Sequence, residues 1–129
     1  EDSLTVEELY KNGKQSCTFH DQFYEEELEE TNLNLMTEMV QLCQRYGVQP
    51  VLISTPMHIS YREHMNKNRY QFMVQHTDSI ASAFNVPYFN YTEDNRFKDR
   101  DFMDANHLGF HGSRKFTALL NDTIQKMNN

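Results

Sequence analysis

Asp104 and His107 are the residues of this sequence whose types and spacing suggest chemistry. They stand three apart in Phe102-Met103-Asp104-Ala105-Asn106-His107-Leu108-Gly109-Phe110-His111-Gly112, just ahead of a helical pattern. One turn can present both side chains. The carboxylate can accept from one ring nitrogen, which leaves the other free to act as a general base toward a serine hydroxyl. No serine stands out as that nucleophile. Asp2-Ser3 lacks a preceding Gly and a preceding strand. Two other uses of the same residues are open. The pair can simply tie down the loop before the last helix. Asp104, His107 and His111 also read as D-x-x-H-x-x-x-H, a spacing that could share a metal ion. Gly109 inside the pattern and the lack of a fourth ligand weigh against metal, so the expectation is no metal and no cofactor.

Further polar residues are weaker candidates. His58 and His64 follow the first apolar run and read as exposed loop histidines, of which His58 is the candidate for contacting a substrate. Arg96 and Arg100 could hold an anionic group, but Glu93, Asp94, Asp99 and Asp101 surround them, and ordinary surface charge is the better reading. Tyr61, Tyr70, Phe72 and Tyr88 could stack on a sugar, although core packing suits them better. Glu25-Glu26-Glu27 reads as a solvated helix face.

These residues need elements to hold them. Residues 1–20 have weak periodicity and read as an irregular connection with a short helical turn at 6–10. From Asp21, a plausible N-cap, Leu28, Leu35, Met39, Leu42 and Tyr46 recur at helical spacing, and Met36 and Cys43 widen the stripe. Gly47 is the expected C-cap. Val51-Leu52-Ile53-Ser54 then reads as a strand buried on both faces. A helix is expected from about Arg62 to Phe84, with Met73, Thr77, Ile80 and Phe84 on one face. Asn85 caps it, since Asn tolerates the left-handed conformation. Val86 to Tyr91 reads as a second strand, and Phe110 to Met127 as a last helix with Phe116, Leu120, Ile124 and Met127 facing the core. Helices alternating with strands predict an α/β layer whose strands run parallel. In such sheets ligands sit beyond the carboxyl ends of the strands, where His58 and the 91–107 loop would emerge.

Composition narrows the rest. A length of 129 residues suits one domain, expected as 1–20 connection and 21–129 α/β part. A net charge of −7 disfavours nucleic acid as a partner. No apolar run approaches the ~20 residues that span a bilayer, so no membrane insertion is expected in this segment. Two cysteines, Cys17 and Cys43, are too few to define a disulfide framework. The chain begins Glu1-Asp2-Ser3 without an initiator Met, so a longer parent with further strands upstream is expected.

Asp104-x-x-His107-Leu108, with Gly112 opening the last helix, resembles the final conserved block of the SGNH (GDSL-type) hydrolases. Thr55-Pro56 after the first strand, the helix from Arg62 and the Asn85-Val86-Pro87-Tyr88 return look like that family's C-terminal half. The resemblance spans about Leu28 to Met127. It implies a three-layer, flavodoxin-like α/β sandwich with a small parallel sheet flanked by helices. It implies a metal-free serine esterase or acyltransferase acting on acyl esters, including those of carbohydrates. It also implies export to a bacterial periplasm or cell surface. Residue by residue it carries over His107 as base and Asp104 as its orienting partner. The family's Gly-Asp-Ser block and its oxyanion-hole Gly and Asn blocks do not occur here, so the isolated chain is expected to be inactive. The reading from a different class is a non-catalytic α/β interaction module.

Overall fold

The computed structural model describes residues 4–127. Its elements in chain order are α1 (Val6–Gln22), a 3-10 turn (Glu26–Leu28), α2 (Glu29–Arg45), β1 (Leu52–Ser54), α3 (Ile59–His64), α4 (Lys67–Ala83), β2 (Tyr88–Asn90), a second 3-10 turn (Asp99–Asp101) and α5 (Phe110–Met127). This is a mixed α/β chain, rich in helix, with one small parallel sheet. It divides into two compact units. The first comprises Glu1–Thr18, Pro56–Met65 and Thr92–Asn129, and the second Phe19–Thr55 and Asn66–Tyr91.

The second unit holds the sheet. Leu52, Ile53 and Ser54 pair in parallel with Tyr88, Phe89 and Asn90. The intervening chain supplies the crossover that parallel pairing requires. Both strands are entered by the same device. After α2, Gly47 (φ 70°) lets its own N–H reach Gln44 O and the Val48 N–H reach Cys43 O. After α4, Asn85 (φ 52°) does the same, with its N–H on Ser82 O and the Val86 N–H on Ala81 O. These are paired Schellman closures, each satisfying carbonyls that the helix end would otherwise leave open. Val40, Ala81 and Val86 form the core here, with Leu52, Ile80, Phe84 and Tyr88 packed on it.

Three expectations for this unit are corrected. Leu28, Leu35, Met39, Leu42 and Tyr46 are all exposed; of the expected stripe Met36 and Cys43 turn inward, joined by Leu33 and Val40. Apolar residues occur around most of α2, so two stripes of similar length competed, and packing against Ala81 and Val86 selects the one through Val40. β1 is not buried on both faces, because Ile53 is exposed. Asp21 does not cap a helix start. It lies in the last turn of α1, and its carboxylate pairs with Arg69 at 2.6 Å.

The first unit gathers α1 as far as Thr18, α3, α5 and the segment from Thr92 around Leu9, Phe97 and Phe102, against which Leu4, Leu108, Phe116 and Leu119 pack. Residues 4–20 are therefore not an irregular connection; the part of that expectation at 1–3 lies outside the described residues. Thr5 and Glu8 form a reciprocal cap, with the Thr5 N–H on the Glu8 carboxylate (2.8 Å) and the Glu8 N–H on Thr5 Oγ1 (3.3 Å). Leu9, Gly13 and Cys17 then recur four apart as the buried face of α1. The long helix expected from Arg62 is two helices. Asn66 starts α4 by accepting from the Asn68 and Arg69 N–H groups, and the chain is extended at Met65 and Asn66. On α5 the core side is Gly112, Phe116 and Leu119, while Ile124 and Met127 are exposed. Cys17 and Cys43 are not joined in a disulfide.

Candidate functional site

Asp104 and His107 occupy the turn of a short hairpin-like loop in the first unit. Phe102 and Leu108 form an antiparallel bridge. The Met103 N–H donates to His107 O (2.9 Å), and the Gly109 N–H to Asp101 O (2.9 Å). Asp104 closes the turn, its Oδ1 accepting from the backbone N–H groups of Asn106 (3.0 Å) and His107 (2.8 Å). Asx side chains favour such turns because their carboxylates can replace a backbone acceptor.

The same carboxylate holds the imidazole. His107 Nδ1 lies 2.9 Å from Asp104 Oδ2 and 3.0 Å from Oδ1. In a neutral ring the nitrogen facing a carboxylate is the one that carries the proton, which leaves Nε2 as the acceptor. The His107 side chain is 62% exposed and that of Asp104 27%. Nε2 has the Asn106 amide nitrogen 3.4 Å away. Among the described residues no serine hydroxyl bonds to it.

Neighbours fix the turn from behind. Ala105 has no exposed surface, its N–H donates to Asn12 Oδ1 (2.9 Å) and its carbonyl accepts from the His58 N–H (3.0 Å). α1 thus contributes Asn12, and the start of α3 contributes His58, to one loop backbone.

His58 is not the exposed loop histidine read from the sequence. It is 2% exposed and caps α3, its Nδ1 accepting from the Ser60 N–H (3.3 Å). Nδ1 is also 2.7 Å from Ser60 Oγ, and Nε2 is 3.0 Å from Asp99 Oδ1. The ring lies edge-on between Tyr10 and Phe102. By residue type this is a Ser–His–Asp chain, but Ser60 is fully buried and its Oγ donates to Leu9 O (2.9 Å). A Cβ on Gly13 of α1 would sit 2.4 Å from Ser60 Oγ. No substrate reaches that hydroxyl, and the constellation packs the unit together. Sequence reading missed it because its partners, Leu9, Ser60 and Asp99, are far apart along the chain.

The remaining candidates separate clearly. His64 is exposed, with Nδ1 2.8 Å from Ser60 O. Arg96 forks onto Asp94, and this pairing holds the Asp94 carboxyl below its usual range against the opposing effect of burial. Arg100 is not paired in this way. It lines a cavity of about 350 Å³ with Asp101, His111 and Lys115. Among the described residues no group of three or more His, Cys, Asp or Glu side chains is placed to hold a metal, so Asp104, His107 and His111 do not converge as one. Tyr70 and Tyr88 belong to the second unit, where Tyr70 accepts from the Asn90 amide and Tyr88 meets Ser54 Oγ at 2.7 Å. Burial pushes the Tyr88 phenol up, opposed by that Ser54 contact. No described helix is long and apolar enough to cross a membrane.

Compared with known protein families, curated proteins and solved structures, the chain matches none.

Proposed function

We propose that this chain supplies the base and its orienting carboxylate to a serine ester hydrolase or acyltransferase of SGNH type. The nucleophile then stands on a segment outside the described residues. The observation that supports the reading is the exposed His107 imidazole, held through Nδ1 by Asp104. In this reading Nε2 takes the serine proton as the hydroxyl attacks an ester carbonyl. Asp104 keeps the ring in the right tautomer and stabilises the imidazolium that forms. The substrates would be acyl esters, with acylated carbohydrates the class suggested by the sequence resemblance. The same resemblance suggests a three-layer sandwich for the whole domain and a place in a bacterial envelope.

The reading of a different class is a non-catalytic α/β module. It is favoured by the two backbone N–H groups on Asp104, which give that carboxylate a structural task whatever His107 does. Hydrolysis of an activated acetyl ester separates the two. This chain alone should show only the background of an exposed imidazole. A protein that joins it to a serine-bearing segment should turn over, and His107→Ala should lower that turnover on the order of 10⁴-fold or more. Turnover kept within about tenfold after His107→Ala, a change of ~1.4 kcal/mol, would remove His107 as the base.

A further inference from the structure

Arg100, His111 and Lys115 bring three basic side chains to one cavity in a chain whose net charge is −7. Their circumstances differ. Lys115 is committed, its Nζ donating to Asp101 Oδ2 (2.7 Å) and standing over the Phe97 ring. Asp101 is therefore no free negative charge on the cavity wall. Burial would raise its pKa, but the Lys115 hydrogen bond, the Lys98 N–H and the charges of Lys115 and Arg100 together hold it below the usual carboxylate range. Arg100 has no hydrogen bond or ion pair to a described side chain, unlike Arg96, which is spent on Asp94. Among the described residues the His111 imidazole likewise has no hydrogen-bond partner, and it meets the Phe110 ring edge-on. Among the four lining residues, with Lys115 and Asp101 cancelling, Arg100 is left with its positive charge, a fork of donors suited to planar oxygen pairs. His111 also stands in the first turn of the 18-residue helix α5, whose leading N–H groups favour negative charge.

We infer that this cavity binds an oxyanion, a carboxylate or phosphate group, through Arg100 and His111. Arg100 and Asp101 precede the hairpin-like loop and His111 follows it, whereas Asp104 and His107 make its turn. Asp104 lies three positions after Asp101, a span of at most about 10 Å. An anion in the cavity would thus lie within reach of a molecule whose ester sits at His107. Assigning that anion to the substrate rests on the hydrolase reading; the binding itself does not, and it should persist in His107→Ala.

The test is titration of the chain with inorganic phosphate and, separately, with acetate at constant ionic strength and neutral pH, followed by amide and arginine side-chain NMR signals. Saturable shifts at residues 100–101 and 110–112 are expected, with an affinity on the order of millimolar, as suits a single small anion. Arg100→Gln should weaken binding by about tenfold or more, the scale of losing a charge-assisted bidentate contact. Arg45→Gln, an equal change of charge at the end of α2, should leave it intact. The tighter of the two anions names the source, phosphoryl or carboxylate. Shifts that grow without saturating for both anions, binding unchanged in Arg100→Gln, or an equal loss in Arg45→Gln would each overturn the inference. The same spectra show that each variant is folded.

Discussion

Gly112 should be the least replaceable glycine beneath the Asp104–His107 loop. A Cβ at this position would lie 1.9 Å from Asp101 O, 2.8 Å from Asp101 C and 3.0 Å from Leu108 Cδ2. An ordinary carbon–oxygen contact needs about 3.3 Å, so α5 and the Asp101 carbonyl must part by roughly 1.4 Å. That carbonyl also accepts the Gly109 N–H, and Asp101 carries the Lys115 ion pair, so it cannot move alone. Overpacking of this kind costs about 1–3 kcal/mol. Losing the Gly109 bond adds about 1 kcal/mol. Alanine's helix preference returns about 1 kcal/mol. Gly112→Ala should therefore destabilise by about 1–3 kcal/mol, a fall in Tm of roughly 5–12 °C for 2 kcal/mol at this chain length. Thermal and urea unfolding followed by circular dichroism measure it, with Ser113→Ala, one exposed residue on, expected within about 0.5 kcal/mol of the parent. A Gly112→Ala protein as stable as the parent, or more so, would mean that helix preference alone acts there. The packing of α5 against Asp101 would then be wrong, and with it the support of the loop.

Three more outcomes follow from the same geometry. His58→Ala should cost about 2–4 kcal/mol in urea unfolding, because it empties the space between Tyr10 and Phe102 and strands Ser60 and Asp99, while His64→Ala should cost under about 0.5. Equal costs would refute the buried role of His58. Val40→Ala should lower stability by about 1–3 kcal/mol and Leu42→Ala by less than about 1, the reverse of what the Leu28–Tyr46 stripe would require. Asp101 titrates lower folded than unfolded, so its pair with Lys115 contributes fully above the unfolded value of about 4 and is lost as pH falls through the lower folded value. Asp101→Asn should accordingly lose less stability than the parent over that acid range, and matching acid slopes would show the pair contributes nothing.

Features legible in the sequence were those set by local rules. Gly47 and Asn85 each announced a left-handed cap, the apolar runs behind them gave strands within one or two residues of β1 and β2, and the crossover fixed their parallel sense. The contact of Asp104 with His107 followed from spacing alone, since one turn brings both side chains together. What failed was decided by tertiary partners or by signals passed over. Thr5-x-x-Glu8 was a written cap for α1, yet Lys11, Lys14 and Gln15 diluted the apolar rhythm of Leu9, Gly13 and Cys17. α2 offered two stripes, and nothing local chooses between Val40 and Leu42. His58 looked like loop polarity because Tyr10, Asp99 and Phe102, the groups that bury and satisfy it, are remote in sequence.

The two readings of Asp104 and His107 differ in what the surrounding structure is for. A turn that only ends a loop needs its carboxylate on the Asn106 and His107 N–H groups and nothing more. Here the second carboxylate oxygen is spent on the imidazole, and the backbone between them is held by Asn12 from one side and by the His58 N–H from the other. Fixing an exposed side chain loses rotamer freedom with little burial to offset it. That ordering matters where the ring must meet an incoming group at a set angle, since a reacting pair gains most when its geometry is prepaid. Under the proposed hydrolase reading, Asn12, Ala105 and His58 would hold the turn from which the base meets its partner; under the module reading the same contacts only close the loop.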